Sequence, residues 1–538
     1  MSQGRNALDV KEEHKQTKNG HGGCSLTEGS STMHAQTSNL RRKLAVDAGQ
    51  ISFDFENGQN TYHPARLATE AHTQEFDCKA RYEQLMSVQA LMSTFWTKFS
   101  SSTGRGIDRV NGFQFGKARL EDLVHASRKC LDGTYRFTPY LEVLKPKGRD
   151  SKPRLISIPT VRDRVILHQL KNLLSEAFPF CVPKSIAGNI IREIVADLPK
   201  FNLDSTYVAG CDVRQFYDTL HRDRLMRHLG DKIKDPRALR LISHSICTPT
   251  VPRSARRRDY LSNQLPEGVP QGLATSNILA AIYVSEIDDA MSAFPVRYHR
   301  YVDDVLIYGT NTEVVKAQNS FINRARRRGL SVHKVGGGKS HITKLRDEFR
   351  YLGYVFKGRT VSVRPGSVEN LLQSIAAKFS DFRHNHPRRL ERYKYLTPDR
   401  VNEIFLLELN ERITGAIREN RRYGWVAYFS QITDHSLLHK LDSVVRGMFR
   451  RLDEFNRQPP SNLKSFARAF FEMRYRPTRG YVRNFDLFTT VAEKMRLLVE
   501  RGRVAPGEAL TDDQINDRFE RYLNRVLRVM QADEARIY

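Results

Sequence analysis

Arg300-Tyr301-Val302-Asp303-Asp304-Val305-Leu306-Ile307-Tyr308 is the stretch on which the fold turns. Two adjacent carboxylates stand between short runs of β-branched and aromatic residues, the pattern of a strand, a tight turn carrying charge, and a second strand. Aspartates exposed together at such a tip repel each other unless a cation neutralises them, and an all-oxygen donor pair suits a hard divalent ion such as Mg²⁺. An isolated Asp-Asp is more often an ordinary hairpin whose side chains satisfy their own backbone. A third carboxylate placed to join the pair would tip the balance towards a metal site.

Working outward, Tyr207-Val208-Ala209-Gly210-Cys211-Asp212 is an apolar strand ending in an aspartate, followed by the aromatic pair Phe216-Tyr217. Asp212 can meet the Asp303 pair across a sheet. Three carboxylates converging from neighbouring strands suit two Mg²⁺ ions about 3.5–4 Å apart, the arrangement that serves nucleotidyl transfer. Between the strands, Pro270-Gln271-Gly272 precedes an apolar helix through Ile278, Leu279, Ile282 and Tyr283. Gly272 allows close backbone approach to a nucleotide, with Gln271 beside it; by itself the tripeptide is equally a turn before a helix.

The 538 residues exceed one compact core and suggest about three domains at roughly 100–200 residues each. Lys and Arg number 87 against 60 Asp and Glu, a formal net charge of +27. That excess calls for a polyanionic partner, nucleic acid first. No apolar run is long enough to span a bilayer and the N-terminus lacks a signal-peptide apolar core, so a soluble, cytoplasmic protein without a membrane partner is expected. Cys24, Cys78, Cys130, Cys181, Cys211 and Cys247 show neither Cys-x-x-Cys spacing nor neighbouring His pairs, which argues against a zinc site or a disulfide framework.

Residues 1–75 are polar and Gly/Ser-rich, with short apolar islands such as Ile51-Ser52-Phe53-Asp54-Phe55, and are expected to be a flexible segment. Helical periodicity begins with Tyr82, Leu85, Met86, Leu91 and Phe95. From about 105 to 360 strands alternate with helices, an α+β pattern on a small sheet. Beyond about 365 the strand signals disappear, and amphipathic helical segments such as 401–409 and 437–445 dominate.

Asp212 with Phe216-Tyr217, Pro270-Gln271-Gly272 with Ser276, and Tyr301-Val302-Asp303-Asp304 occur in the order of the palm motifs of reverse transcriptases and together resemble them. Gly106-Ile107-Asp108, and Leu144-Lys145-Pro146-Lys147 through Arg154-Leu155-Ile156-Ser157-Ile158-Pro159, are similar to that family's fingers. Gly338-Lys339-Ser340 and Tyr351-Leu352-Gly353-Tyr354 match its last two palm motifs. The resemblance covers roughly 105–360. It implies N-terminal helices and right-hand fingers over 76–200, a palm of small antiparallel sheet and helices over 201–365, and an all-helical, basic, thumb-like C-terminal region over 366–538.

Carried over by position, the resemblance implies that Asp212 and Asp303 hold Mg²⁺, with Asp304 completing the catalytic and metal set in a less direct role. Tyr217 falls where the family places the aromatic gate that excludes a 2′-OH. Arg154 matches the fingers arginine on the incoming triphosphate; Lys145 or Lys147 would add a second cation, and Arg suits bidentate phosphate recognition. Gln271 matches a residue lining the nucleotide pocket, and Lys339 the lysine at the leaving pyrophosphate, though a solvated lysine is an ordinary alternative in so basic a chain.

Arg421-Arg422-Tyr423-Gly424-Trp425-Val426-Ala427-Tyr428-Phe429 resembles the thumb of group II intron reverse transcriptases, and a helical core motif explains it equally well. The clusters Arg253 with Arg256-Arg257-Arg258, Arg324 with Arg326-Arg327-Arg328, and Arg388-Arg389 suit phosphate contacts that weaken with salt. Asn277 departs from the proline that follows the motif serine in retroviral, group II intron and most retron enzymes, and no His-Asn-His, ribonuclease H or integrase pattern stands out. What remains is similar to the bacterial stand-alone reverse transcriptases of the abortive-infection and defence-associated groups.

That resemblance implies an RNA-directed DNA polymerase acting in antiviral defence, with dNTPs, an RNA template (a dedicated non-coding RNA among the candidates) and a DNA product; a homo-oligomer is compatible with it. Template-independent or protein-primed synthesis is an alternative, Tyr538 being one available hydroxyl among 21 tyrosines. A maturase-like RNA-binding scaffold with a vestigial palm is another, and the intact Asp212 and Asp303 stand against it. Tyr217, and Tyr-Val-Asp-Asp in place of Gly-Asp-Asp, disfavour an RNA-dependent RNA polymerase.

Overall fold

The apolar runs around the aspartates form the centre of a sheet. In the computed structural model, which describes residues 76–145, 153–182, 187–256, 267–336, 340–477 and 479–535, β1 (Tyr140–Lys145) pairs antiparallel with β2 (Arg154–Ile158), setting Lys145 opposite Arg154. β3 (Thr206–Asp212) opens a second sheet, and β4 (Thr250–Val251) runs parallel beside β1. β5 (Arg297–Tyr301) and β6 (Asp304–Thr310) are the hairpin of the paired aspartates, and β7 (His341–Lys344) completes the second sheet in the order β5-β6-β3-β7, all antiparallel. β8 (Glu348–Tyr351), β9 (Tyr354–Lys357) and β10 (Thr360–Val363) form an antiparallel meander. The expectations for 1–75, Lys147, Arg257, Arg258, Lys339 and Tyr538 lie outside the described residues.

β3 and β6 are apolar without a break because their sheet is covered on both faces. Side chains alternate across a strand. Ala209, Cys211, Val305 and Ile307 therefore join one core, which also takes in the helix Val161–Ala177 and much of the helices Ser276–Met291 and Asn311–Arg327. Val208, Leu306 and Tyr308 point the other way, into a second core shared with the meander and with Leu371, Phe379, Phe405, Trp425 and Phe449. Gly210 is needed at the β3–β7 crossing: a Cβ there would lie 2.7 Å from the His341 ring.

The C-terminal third is dominated by helices, including Pro365–Arg392, Pro398–Thr414, His435–Met448, Phe466–Tyr475, Val491–Glu500 and Asp512–Ala535. The expectation of an all-helical region is corrected by a small sheet of β11 (Ala416–Arg418), β12 (Arg421–Tyr423) and β13 (Arg483–Asn484), in the order β12-β11-β13. Its hairpin turns through Glu419 and Asn420, both at positive φ, the geometry usually given to Asn-Gly. Asp486 accepts from the amides of both, at 2.7 and 3.0 Å, so a carboxylate 66 or 67 positions away holds the turn that local sequence does not announce.

A third, smaller core joins Phe485, Leu497 and Leu498 to Phe519 and Leu523. At its border Arg501, fully buried, is ion-paired with Glu411, while Nε donates to the Tyr522 hydroxyl at 3.0 Å and that hydroxyl donates to Glu411 at 3.0 Å. Removing one member of a buried pair leaves an uncompensated charge. Arg501→Met is expected to destabilise the chain by about 3 kcal/mol, seen as a lower denaturant midpoint than that of the wild-type protein.

Candidate active site

The strand register brings the predicted aspartates to one end of the second sheet. β3 pairs with β6 so that Asp212 stands opposite Asp304. One step on, the Val213 amide donates to the Asp303 carbonyl at 3.1 Å, tying the hairpin tip to the end of β3. The tip itself is a sharp turn with Val302 at φ +59°. Arg300 holds it: Nη1 donates to the Val302 carbonyl at 3.0 Å, while the guanidinium pairs with Asp288 on the helix Ser276–Met291. On the far side of β3, the His333 amide donates to the Asp212 carbonyl at 2.9 Å, and the His333 ring lies 3.6 Å from the Asp212 carboxylate.

Pro270-Gln271-Gly272 is clamped between two other parts of the candidate site. The Val269 amide donates to the Tyr217 carbonyl at 2.8 Å and the Gly268 amide to the Leu220 carbonyl at 3.0 Å. On its other side, the Ser157 amide of β2 donates to the Gln271 carbonyl at 2.7 Å. Gly272 sits at φ +104°, and a Cβ there would lie 2.8 Å from an Ile156 methyl group, so both backbone conformation and space call for glycine. Ser276 closes the loop by donating its hydroxyl to the Pro270 carbonyl at 2.6 Å.

The electrostatics show which side chains share a space. Burial pushes the Tyr217 hydroxyl well above its ordinary value, Asp303 and Tyr301 push it further, and Arg154 and Arg300 oppose them. Charges of both signs thus act on the Tyr217 hydroxyl, with burial the larger cause. Asp304 acts on different neighbours: it adds to the burial that raises the Cys211 thiol to about 11 and to the burial that raises the Tyr351 hydroxyl. The two adjacent aspartates thus address different surroundings. Lys145 stands exposed opposite Arg154 at the end of the β1–β2 pair. Lys339 lies outside the described residues.

Some contributors were given no role in the site from the sequence. Asn277, noted in the sequence as a departure, accepts the Tyr217 hydroxyl at 2.6 Å. Arg300 and Asp288 fix the hairpin tip, but their partnership joins a strand to a preceding helix, and neither strand nor helix periodicity points to it. Among the described residues no group of three or more His, Cys, Asp or Glu is arranged to hold a metal ion. The donors at the strand ends are carboxylates, hard oxygen ligands; Mg²⁺ is commonly held by one or two carboxylates plus substrate phosphates instead of a complete protein cage. Asp212 and Asp303, tethered by adjacent backbone, fit that open arrangement.

Residues 143–356 match the family model described as reverse transcriptase (RNA-dependent DNA polymerase). Protein YkfC of Escherichia coli (strain K12) is 26% identical over 195 residues, covering 34% of this chain and 49% of YkfC. An uncharacterised 91 kDa protein in the cob intron of Schizosaccharomyces pombe is 25% identical over 163 residues, covering 29% of this chain and 19% of that protein. The chain thus spans about half or less of the length of these curated relatives. A telomerase structure from Candida albicans, in complex with a fragment of telomeric RNA, aligns with 64% of this chain and 68% of its own at 12% identity and a TM-score of 0.39. The sheet that carries Asp212, Asp303 and Asp304, the glycine loop and the Arg154 strand all fall within 143–356, the segment that matches the reverse transcriptase model.

Proposed function

We propose that the chain is an RNA-directed DNA polymerase that extends a DNA strand from dNTPs by two-metal nucleotidyl transfer. The observation that supports this most directly is the convergence on Tyr217 of Asp303, Arg154 and the Gly268–Gly272 loop. Carboxylates at the strand ends and a cation that both act on one aromatic side chain suit the opposite charges of a metal-bound triphosphate substrate. Asp212 and Asp303, with Asp304 beside them, would hold Mg²⁺, which would supply positive charge for activating a primer hydroxyl and for stabilising the leaving pyrophosphate.

In this reading Arg154 binds the triphosphate through its planar fork, with Lys145 as a second cation and Lys339 at the pyrophosphate. Gln271 and the glycine backbone line the base and sugar. Tyr217, its hydroxyl held by Asn277, presents its ring to the sugar and excludes a 2′-OH by contact. The fingers occupy 76–200, the palm 201–365, and a thumb-like and C-terminal region 366–538. The template is RNA and the product DNA. A role in antiviral defence in the cytoplasm is part of the proposal, supported by the sequence resemblance to stand-alone defence-associated enzymes; among the described residues no helix is long and apolar enough to cross a membrane.

Incubating the protein with Mg²⁺, primed RNA and dNTPs should give DNA, and Asp303→Ala should lower incorporation by at least about a hundredfold, the order found when a stabiliser of transition-state charge is removed. Equal incorporation by wild type and Asp303→Ala overturns the assignment. Tyr217→Ala should raise ribonucleotide relative to deoxynucleotide incorporation on the order of tenfold, the scale of a steric pocket contact. Asn277→Ala, which frees the hydroxyl but keeps the ring, should shift that ratio less. Competition of rNTPs against dNTPs on one template reads both variants.

A further inference from the structure

Outside the segment that matches the reverse transcriptase model, the helix Phe466–Tyr475 exposes aromatic rings among arginines. Arg468, Phe471 and Tyr475 are spaced on one helix face, with Lys464 just before the helix. Phe471 and Tyr475 are 44% and 59% exposed, large values for aromatic side chains, and their ring centroids are 5.1 Å apart. Arg476 places its guanidinium carbon 5.3 Å from the Phe471 ring centre, and Arg474 its own 5.4 Å from Tyr475. At the other end of the face, Lys464 and Arg468 both cover the Tyr481 ring, at 4.9 and 4.4 Å.

Lys464 also borders an open cavity of about 830 Å³ with an apolar floor that includes Phe488, and with Arg483 and Arg496 among its lining residues. Its two carboxylates are already engaged. Glu500 faces Arg483 at 3.6 Å and Arg501 at 3.8 Å, and Glu493 accepts the Thr490 amide at 2.9 Å as a helix cap. The surface from cavity to helix end thus alternates cations with ring faces and has no unengaged acid in the cavity. Unstacked bases settle on exposed rings while arginines and lysines track the phosphates, a combination that holds single strands with little regard to sequence.

We infer that the face running from Lys464 through Arg468 to Phe471 and Tyr475, with the adjoining cavity, is a track for single-stranded RNA. Charge complementarity selects a polyanion, and the exposed rings select unpaired bases over a duplex whose bases are already stacked. The choice of RNA rests on the proposed function, in which the template is the strand that is unpaired before it is copied.

The test is fluorescence anisotropy on the full chain without dNTPs, using oligouridylate and oligothymidylate of about twelve nucleotides, within the range of site sizes for such platforms. Phe471→Ala with Tyr475→Ala should weaken oligouridylate binding at least about fivefold. Arg468→Gln and Arg476→Gln should each lower the slope of log affinity against log salt by about one. Val529→Ala, another exposed apolar position, should bind as wild type, and all variants should keep the wild-type thermal midpoint. Unchanged oligouridylate affinity in the aromatic double variant overturns the track, as does a loss confined to oligothymidylate. A protein that loses oligouridylate binding in these variants yet incorporates no nucleotide as wild type retains the track and refutes the polymerase.

Discussion

The pairing of β3 with β6 is the constraint on which the rest of the structure depends. Its register sets Asp212 opposite Asp304, and the Val213 amide bonds the Asp303 carbonyl at the tip. A slip of one residue would send every side chain of β3 to the opposite face. Here that would exchange residues between two cores, since Ala209 and Cys211 pack on one side and Val208 on the other. Hydrophobic burial on both faces therefore fixes the position of the carboxylates, although the carboxylates contribute none of it.

A second set of contacts gathers the rest of the site around that sheet edge. The Gly268–Gly272 loop uses its own amides to hold the turn after β3 and its Gln271 carbonyl to hold β2. Three segments far apart in the chain are thereby set by backbone hydrogen bonds. This explains why glycine recurs in the loop. At Gly268 a Cβ would lie 2.7 Å from the Tyr217 and Asp218 carbonyls, and at Gly272 it would press on β2.

The C-terminal third is joined to the domain through shared packing. Trp425, buried within the motif that resembles a thumb, packs in the same core as Leu306 and Tyr308 of β6, and the Tyr354 hydroxyl donates to the Tyr428 carbonyl. The exposed faces of this region are, by contrast, basic and aromatic. The helix Phe466–Tyr475 shows both sides, with Phe466, Phe470 and Met473 in the core that also takes in β6 and with Phe471 and Tyr475 exposed, the division expected of an amphipathic helix.

Much of the candidate site could be recognised along the chain because its chemistry requires residue types that local patterns flag: Asp212 at the end of an apolar run, Asp303 and Asp304 between two strands, glycines in a turn before a helix. These short-range patterns follow from strand alternation and turn conformation, which depend on near neighbours. The chain's charge likewise pointed to nucleic acid without a fold. What lay beyond it was any feature made by distant partners: Asp486 completing the Glu419–Asn420 turn and so a sheet in a region expected to be all helical, Arg300 fastening the aspartate hairpin to Asp288, and Asn277 taking the Tyr217 hydroxyl. The sequence by itself determined where carboxylates, a turn glycine and cations stand along the chain and that its strands are apolar; only the tertiary structure decided which of them lie side by side, because hydrogen bonds and charges act over a few ångströms in space whatever the separation along the chain.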